Sequence, residues 1–241
     1  MKFTKTSIAC IALISIILSS CFDAPNFPDE PQIEFSDVFL KERINTSTAD
    51  SLVVVVTFED GDGDLGLSNT EINPPYNEFN YPRFNGQLIT LADRSIPELD
   101  TLPPFAFPYT CLNWAIEPLV NNNIVEDTVY FQFNENFFNF FVEVLEQQPS
   151  GEFETVNTRL LLPPDCLGTL DGRFPRLGED SEGDNAKEGT IRFAIPSFIF
   201  GFKTLFGGES VLKIRLRIKD RALNTSNTVE SPEFTLNDIT I

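Results

Sequence analysis

Histidine is absent from all 241 residues of the chain. That removes the usual general base near neutral pH, the Ser-His and Cys-His nucleophile pairs, and histidine-ligated zinc or iron. Basic residues are scarce as well: 17 Lys and Arg face 36 Asp and Glu, a formal net charge of −19. Nucleic acid and anionic lipid surfaces are held through clustered basic side chains that neutralise phosphate, and this excess of acid argues against both. No nucleophile elbow or glycine-rich phosphate loop occurs, and no stretch has the periodicity of an amphipathic helix. One Trp and four Tyr make a thin supply of stacking surfaces for sugars. Catalysis would have to rest on carboxylates, Lys or Tyr, and acids are so abundant that any pair suited to glycoside hydrolysis is uninformative. The expectation is a protein that is not an enzyme, with a carboxylate-based hydrolase as an alternative.

Long apolar runs are also missing. The one at the start, Ile8 to Leu18, follows Lys2 and Lys5 and precedes small residues. It has the build of a secretory signal peptide and is too short to span a bilayer as a helix. The sequence "LSSC", Leu18 to Cys21, resembles the bacterial lipobox. That resemblance implies removal of residues 1–20 and acylation of Cys21; an ordinary secretory signal with an incidental cysteine is the alternative. Several acyl chains on one cysteine anchor a protein stably where a single chain does not. Losing Lys2 and Lys5 makes the remaining chain two charges more negative.

Four cysteines are present. Cys10 leaves with the signal and Cys21 takes lipid, so Cys111 and Cys166 are left in an oxidising compartment, where a disulfide is the default and two buried thiols the alternative. Closing that loop is worth roughly 4 kcal/mol on the chain-entropy account.

Residues 21–32, the acylated cysteine and a proline-rich acidic stretch, read as a flexible tether. Residues 33–241 read as one β-sandwich domain. Strands are expected at 33–40, 51–59, 127–133, 138–147, 152–162, 189–196, 210–220 and 231–239, separated by turn residues. The valine run 53–56 lacks polar alternation and predicts a strand buried on both faces. Leu212, Ile214, Leu216 and Ile218 alternate with Lys213, Arg215, Arg217 and Lys219, predicting one buried and one wet face. Between 61 and 112 the pattern weakens into Pro, Asn, Gly and isolated aromatics, too long for an ordinary loop, and predicts an irregular insertion. Of the 24 Phe, 11 fall on the predicted strands and are expected to pack the core.

The stretch "FEDGDGDLGL", residues 58–67, places Asp60, Asp62 and Asp64 at alternate positions after the valine strand. Carboxylates so close repel, and a divalent cation or an open solvated turn are the two ways to relieve them. Counted from Asp60, Ser68 and Glu71 fall where a calcium-binding EF-hand loop has its ninth and twelfth residues, but Leu65 replaces the glycine that turns such a loop. A short Asp-Gly-Asp-Gly-Asp calcium turn fits better than a full EF-hand. The candidate metal set is Asp60, Asp62, Asp64, Glu71 and Asp220, with Ca2+ as the ion. Asp220 lies in "IKDRALNTSN", residues 218–227, which resembles an Asp-x-x-Gly-Asn-x-Ser turn near the last strands of bacterial immunoglobulin-like domains, with Leu223 in the glycine position. Ordinary turn hydrogen bonding by Asp, Asn and Ser accounts for the same residues.

Taken together, the lipobox, "DGDGDLGL", the Cys111 and Cys166 pair, "DGRFPRLG" at 171–178 and the closing "IKDRALNTSNTVESPEFTL" resemble a group of uncharacterised Bacteroidota lipoproteins with an immunoglobulin-like β-sandwich. The resemblance implies an all-β immunoglobulin-like fold and a lipid-anchored cell-envelope protein, the outer membrane being the expected location, and brings no activity or site. Asp50-Ser51-Leu52, Asp100-Thr101-Leu102 and Asp127-Thr128-Val129 also look like the O-glycosylation acceptor pattern of that phylum. The expected function is a binding or structural module stiffened by calcium, with another envelope protein as partner. The 61–112 insertion, with Tyr76, Tyr81, Tyr109 and Trp114, is the segment expected to meet that partner; the alternative is a glycan-binding accessory lipoprotein, which requires Trp114 and at least one tyrosine to be coplanar and exposed.

Overall fold

The computed structural model describes residues 26–42, 50–105, 109–158, 169–177, 186–197 and 201–241. Its frame is two antiparallel sheets. In the first, β1 (Gln32–Lys41) and β13 (Lys187–Pro196) flank β2 (Ser51–Asp60). In the second, the order is β12 (Phe153–Thr155), β11 (Phe140–Gln147), β14 (Leu212–Ile218) and β15 (Val229–Glu230). Pairing runs in register from Ser51 against Pro196 to Asp60 against Lys187, and from Phe140 against Ile218 to Glu146 against Leu212. A register shift between Phe35 and Asp37 bends β1.

One apolar cluster fills the space between the sheets. Leu52, Val54, Val56 and Phe58 of β2 and Ile191 and Ile195 of β13 meet Phe140, Val142 and Val144 of β11 and Leu212, Ile214, Leu216 and Ile218 of β14. Phe140 stacks on Phe193 at 4.4 Å between ring centroids and meets Phe174 edge-on. Val53 and Val55 are buried too, so β2 is covered on both faces as its sequence predicts. On the outer face of β14, Arg215 reaches Glu143 and Glu230, while Lys213 and Arg217 lie over the rings of Phe153 and Phe141 at 4.2 and 4.0 Å. The expected wet face is thus half-covered by ion pairs and aromatic contacts.

The insertion is longer than the sequence indicates, running from Gly61 to Asn139. It holds β3 (Phe79–Asn80), β4 (Arg83–Phe84), β5 (Gln87–Leu88), β6 (Trp114–Ile116), β7 (Leu119–Val120), β8 (Asn123–Ile124), β9 (Thr128–Tyr130) and β10 (Gln132–Phe133), with 3-10 turns at Leu91–Ser95, Pro97–Leu99 and Tyr109–Leu112. The stretch 127–133, expected in the sandwich, pairs instead with β6 and β3. The reason is local: Trp114, Tyr130, Ile89 and Leu99 form a second, separate apolar cluster. Of the strand expected at 152–162 the described residues hold β12, residues 159–162 lying outside them, and the strand expected at 231–239 shrinks to single bridges such as Phe234 with Leu212. A five-residue helix not foreseen, α1 (Phe202–Phe206), buries both terminal phenylalanines in the sandwich core. Before β1, the carbonyl of Pro28 accepts the N–H of Gly61 at 2.8 Å, so the end of the tether segment docks against the acidic turn.

Candidate metal centre

Strand parity builds the site. Along β2 the side chains of residues 52, 54, 56 and 58 enter the core, and Asp60 is next in that row. Along β14 residues 212, 214, 216 and 218 do the same, and Asp220 follows them. Two core-facing rows, one on each sheet, therefore end in an aspartate at the same edge of the core. After Asp60 the chain turns sharply, with Gly63 at φ 70° and Gly66 at φ 97°, backbone conformations that side chains resist. The turn carries Asp62 and Asp64 to the same point. One oxygen from each of Asp60, Asp62, Asp64 and Asp220 lies within 4.8 Å of the other three.

Three of these carboxylates are held by donors. Asp62 Oδ1 accepts the N–H of Asp64 at 3.2 Å, and Asp64 accepts the N–H groups of Arg221 and Ala222 at 3.3 and 2.9 Å. Asp220 accepts the N–H and side-chain amide of Asn224 at 2.7 and 2.8 Å. Asp60 differs: it is 0% exposed, and neither of its oxygens is met by a donor in hydrogen-bond geometry, the nearby Asp64 N–H exerting only the smallest of the pulls on it. A buried carboxylate without a donor is costly unless a cation or a proton meets it.

The electrostatics agree. Burial first, and then repulsion by Asp62, Asp64 and Asp220, pushes the Asp60 carboxyl up to about 7. Burial pushes Asp220 up to about 6 despite the donors of Asn224, with Asp64 and Asp62 adding to the rise. Asp64 is raised as well, by burial and Asp62, against the N–H groups of Arg221 and Ala222.

Glu71 does not belong to this group, which corrects the expected metal set. Its carboxylate takes the guanidinium of Arg176 and the N–H of Ser68, and the Arg176 contact holds it below the usual carboxylate range. With no helix following Asp64, the chain places Glu71 beside residues 173–176 instead of bringing it back to the cluster. Asp220, by contrast, combines both readings of its stretch: it makes the turn hydrogen bonds and faces the cluster. Leu223 adopts φ 72°, the conformation for which glycine is suited at that position.

An all-oxygen set of converging carboxylates suits a hard divalent cation, and flexible high-coordination geometry suits calcium better than magnesium, which keeps most of its water.

No family model, curated protein or solved structure matches the chain.

The other sequence-predicted residues fall as follows. Trp114 is 2% exposed, and its indole N–H donates to the Pro103 carbonyl at 2.9 Å, so it offers no sugar platform. Tyr76 is half-buried and donates its hydroxyl to the Arg221 carbonyl at 2.5 Å; Tyr81 is half-buried beside Phe131. The Tyr109 side chain lies outside the described residues, as do Cys10, Cys21 and Cys166. Cys111 is disulfide-bonded. Of the three acceptor-like triplets, Thr101 is exposed, whereas Ser51 and Thr128 sit half-buried in strands. A groove of about 560 Å³ contains Glu143 and Asp171, but both are engaged. Glu143 meets Arg215 at 3.2 Å, and Asp171 accepts the Val142 N–H and the Thr169 hydroxyl at 2.9 and 2.8 Å. Sequence reasoning missed the donors to the cluster from Arg221 and Ala222, and Tyr76 behind the Arg221 carbonyl. The parity of β14 was the available signal for Asp220.

Proposed function

We propose that this protein is a non-enzymatic, lipid-anchored cell-envelope module whose β-sandwich is completed by a calcium ion. The observation that carries the reading is the fully buried, unpartnered Asp60 carboxylate at the centre of a four-aspartate cluster. A calcium ion there would offset two of the four negative charges at the end of the core and join the two sheets. The anchor rests on Cys21 and the signal-like residues before it. Among the described residues, no helix is long and apolar enough to cross a membrane. We further read the sheet orders β1-β2-β13 and β12-β11-β14-β15 as an immunoglobulin-like arrangement, since that fold divides its strands between sheets in this manner. Cys111 is assigned Cys166 as its disulfide partner.

The module's partner is a protein, and the insertion is the contact face. Ile116, Leu119 and Ile124 are 64%, 63% and 68% exposed, with Leu119 and Ile124 paired across the β7–β8 hairpin. Exposed Glu117 and Glu126, with half-exposed Val120 at the end of β7, rim them. Such a knob fits an apolar pocket ringed by basic groups. The buried Trp114 speaks against glycan stacking, and the engaged acids of the 560 Å³ groove speak against a carboxylate hydrolase.

Calorimetric titration of calcium into the full chain in detergent, beside an Asp62→Ala, Asp64→Ala variant, tests the reading. Saturable binding confined to the wild type supports it. Absence of binding by folded wild-type protein refutes the metal site.

A further inference from the structure

Resting on the calcium reading, we propose that the ion is a clasp for the insertion, so that calcium controls how rigidly the β7–β8 hairpin is presented. The insertion is tied to the sandwich mainly at its root. Leu65 belongs to the sandwich core, but among the described residues none from 66 to 139 does, and the insertion packs its own cluster around Trp114. Its position therefore depends on polar links near the acidic turn.

One set of those links converges on Asp64 and Arg221, while others run beside it from Glu71 to Arg173 and Arg176 and from Asn136 to Lys219. Asp64 is a member of the carboxylate cluster and also accepts the N–H groups of Arg221 and Ala222. Arg221 Nε donates to the Asp64 carbonyl at 2.9 Å. From the insertion, Tyr76 donates its hydroxyl to the Arg221 carbonyl at 2.5 Å. Next to Tyr76, the Pro75 carbonyl accepts the Asn134 amide, which also reaches the Asn77 carbonyl, both at 2.7 Å. Asn134 lies on the returning leg of the insertion, so both legs are tied to one point. Lys187 Nζ, at the start of β13, donates to the Gly63 carbonyl at 2.6 Å and holds the other side of the turn.

Without a cation, Asp60, Asp62, Asp64 and Asp220 repel one another across this junction, and the strands that end there splay at their tips. With one, Asp64 and Asp220 are drawn together, Arg221 is fixed between them, and Tyr76 closes on a stationary carbonyl. The sandwich core, packed by apolar residues away from the site, is indifferent to local opening there.

Amide hydrogen exchange of the full chain in detergent, with calcium or with chelator, tests the clasp. At exchange times too short for global unfolding to contribute, the expected result is exchange slowed about tenfold by calcium in peptides from 79–133, with little change in β11 and β14, as for a local opening. A Tyr76→Phe variant should bind calcium in the calorimeter as wild type does and lose the slowing at 79–133. Calcium binding with unchanged exchange at 79–133, or with uniform slowing of the whole chain, overturns the clasp and leaves the metal site standing. Slowing that persists in Tyr76→Phe overturns it as well, whereas absence of binding overturns both readings.

Discussion

Asp60 and Asp220 end the core-facing rows of β2 and β14, and their carboxylates share one cluster across the edge of the sandwich. A position that strand parity assigns to the core is thus occupied on both sheets by an ionisable group. An Asp at either place alone would be a local defect. Two facing each other, joined by Asp62 and Asp64, form the acidic cluster on which the proposed calcium site rests.

Asp60→Asn separates a metal ligand from a merely structural acid. In chelator, the variant should be more stable than wild type by about 1–3 kcal/mol, because a buried unpartnered charge is removed with little change of shape. In calcium at about 1,000 times the Kd, the order should reverse, because the occupied site gains about 4.1 kcal/mol that the variant cannot have. Thermal melts in both conditions check this, and a variant destabilised in chelator contradicts it.

The metal-free protein should lose stability as pH rises. Asp60 and Asp220 have folded values near 7 and 6, above the ordinary 3.8. The native state therefore binds more protons than the unfolded chain between about pH 4 and 7. The stability contributed by their protonation is complete below the unfolded value and is lost as pH climbs through the folded ones. Calcium should invert the trend, since its ligands must be deprotonated. Melting temperatures from pH 4.5 to 8, with chelator and with calcium, and with Asp60→Asn as the control for other groups, measure both slopes.

Leu223→Gly should raise stability by about 1 kcal/mol, since a non-glycine residue at positive φ is strained and glycine adopts it freely. Chemical denaturation gives the difference, and a loss of stability would mean that the leucine side chain packs more favourably than its backbone is strained.

Leu119→Ser with Ile124→Ser should leave the melting temperature unchanged, within about 0.5 kcal/mol, because both side chains are largely exposed. The exposed pair should also account for part of any binding of an apolar dye to the folded protein, a signal that the double variant reduces.

Much of the frame was legible. The unbroken valine run of β2 predicts burial on both faces and the Leu-Ile alternation of β14 predicts burial on one, and the structure reproduces both. The boundary of the insertion was not. Residues 127–133 alternate as a sandwich strand does, and only the placement of Trp114 opposite Tyr130 decides that they pair within the insertion. For the site, the Asp60, Asp62 and Asp64 spacing stood in the sequence, and Asp220 was reachable by counting β14 onward by twos. Glu71 matched by spacing alone, and Arg176, remote in sequence, took it. Such long-range pairing leaves no local pattern to read.

The most direct measurement is an anomalous difference map from crystals grown with calcium. The account predicts one strong peak between Asp60, Asp62, Asp64 and Asp220, with oxygens at about 2.3–2.6 Å. A map with no peak there, and with the Asp60 carboxyl meeting only water or a neighbouring donor, would contradict it.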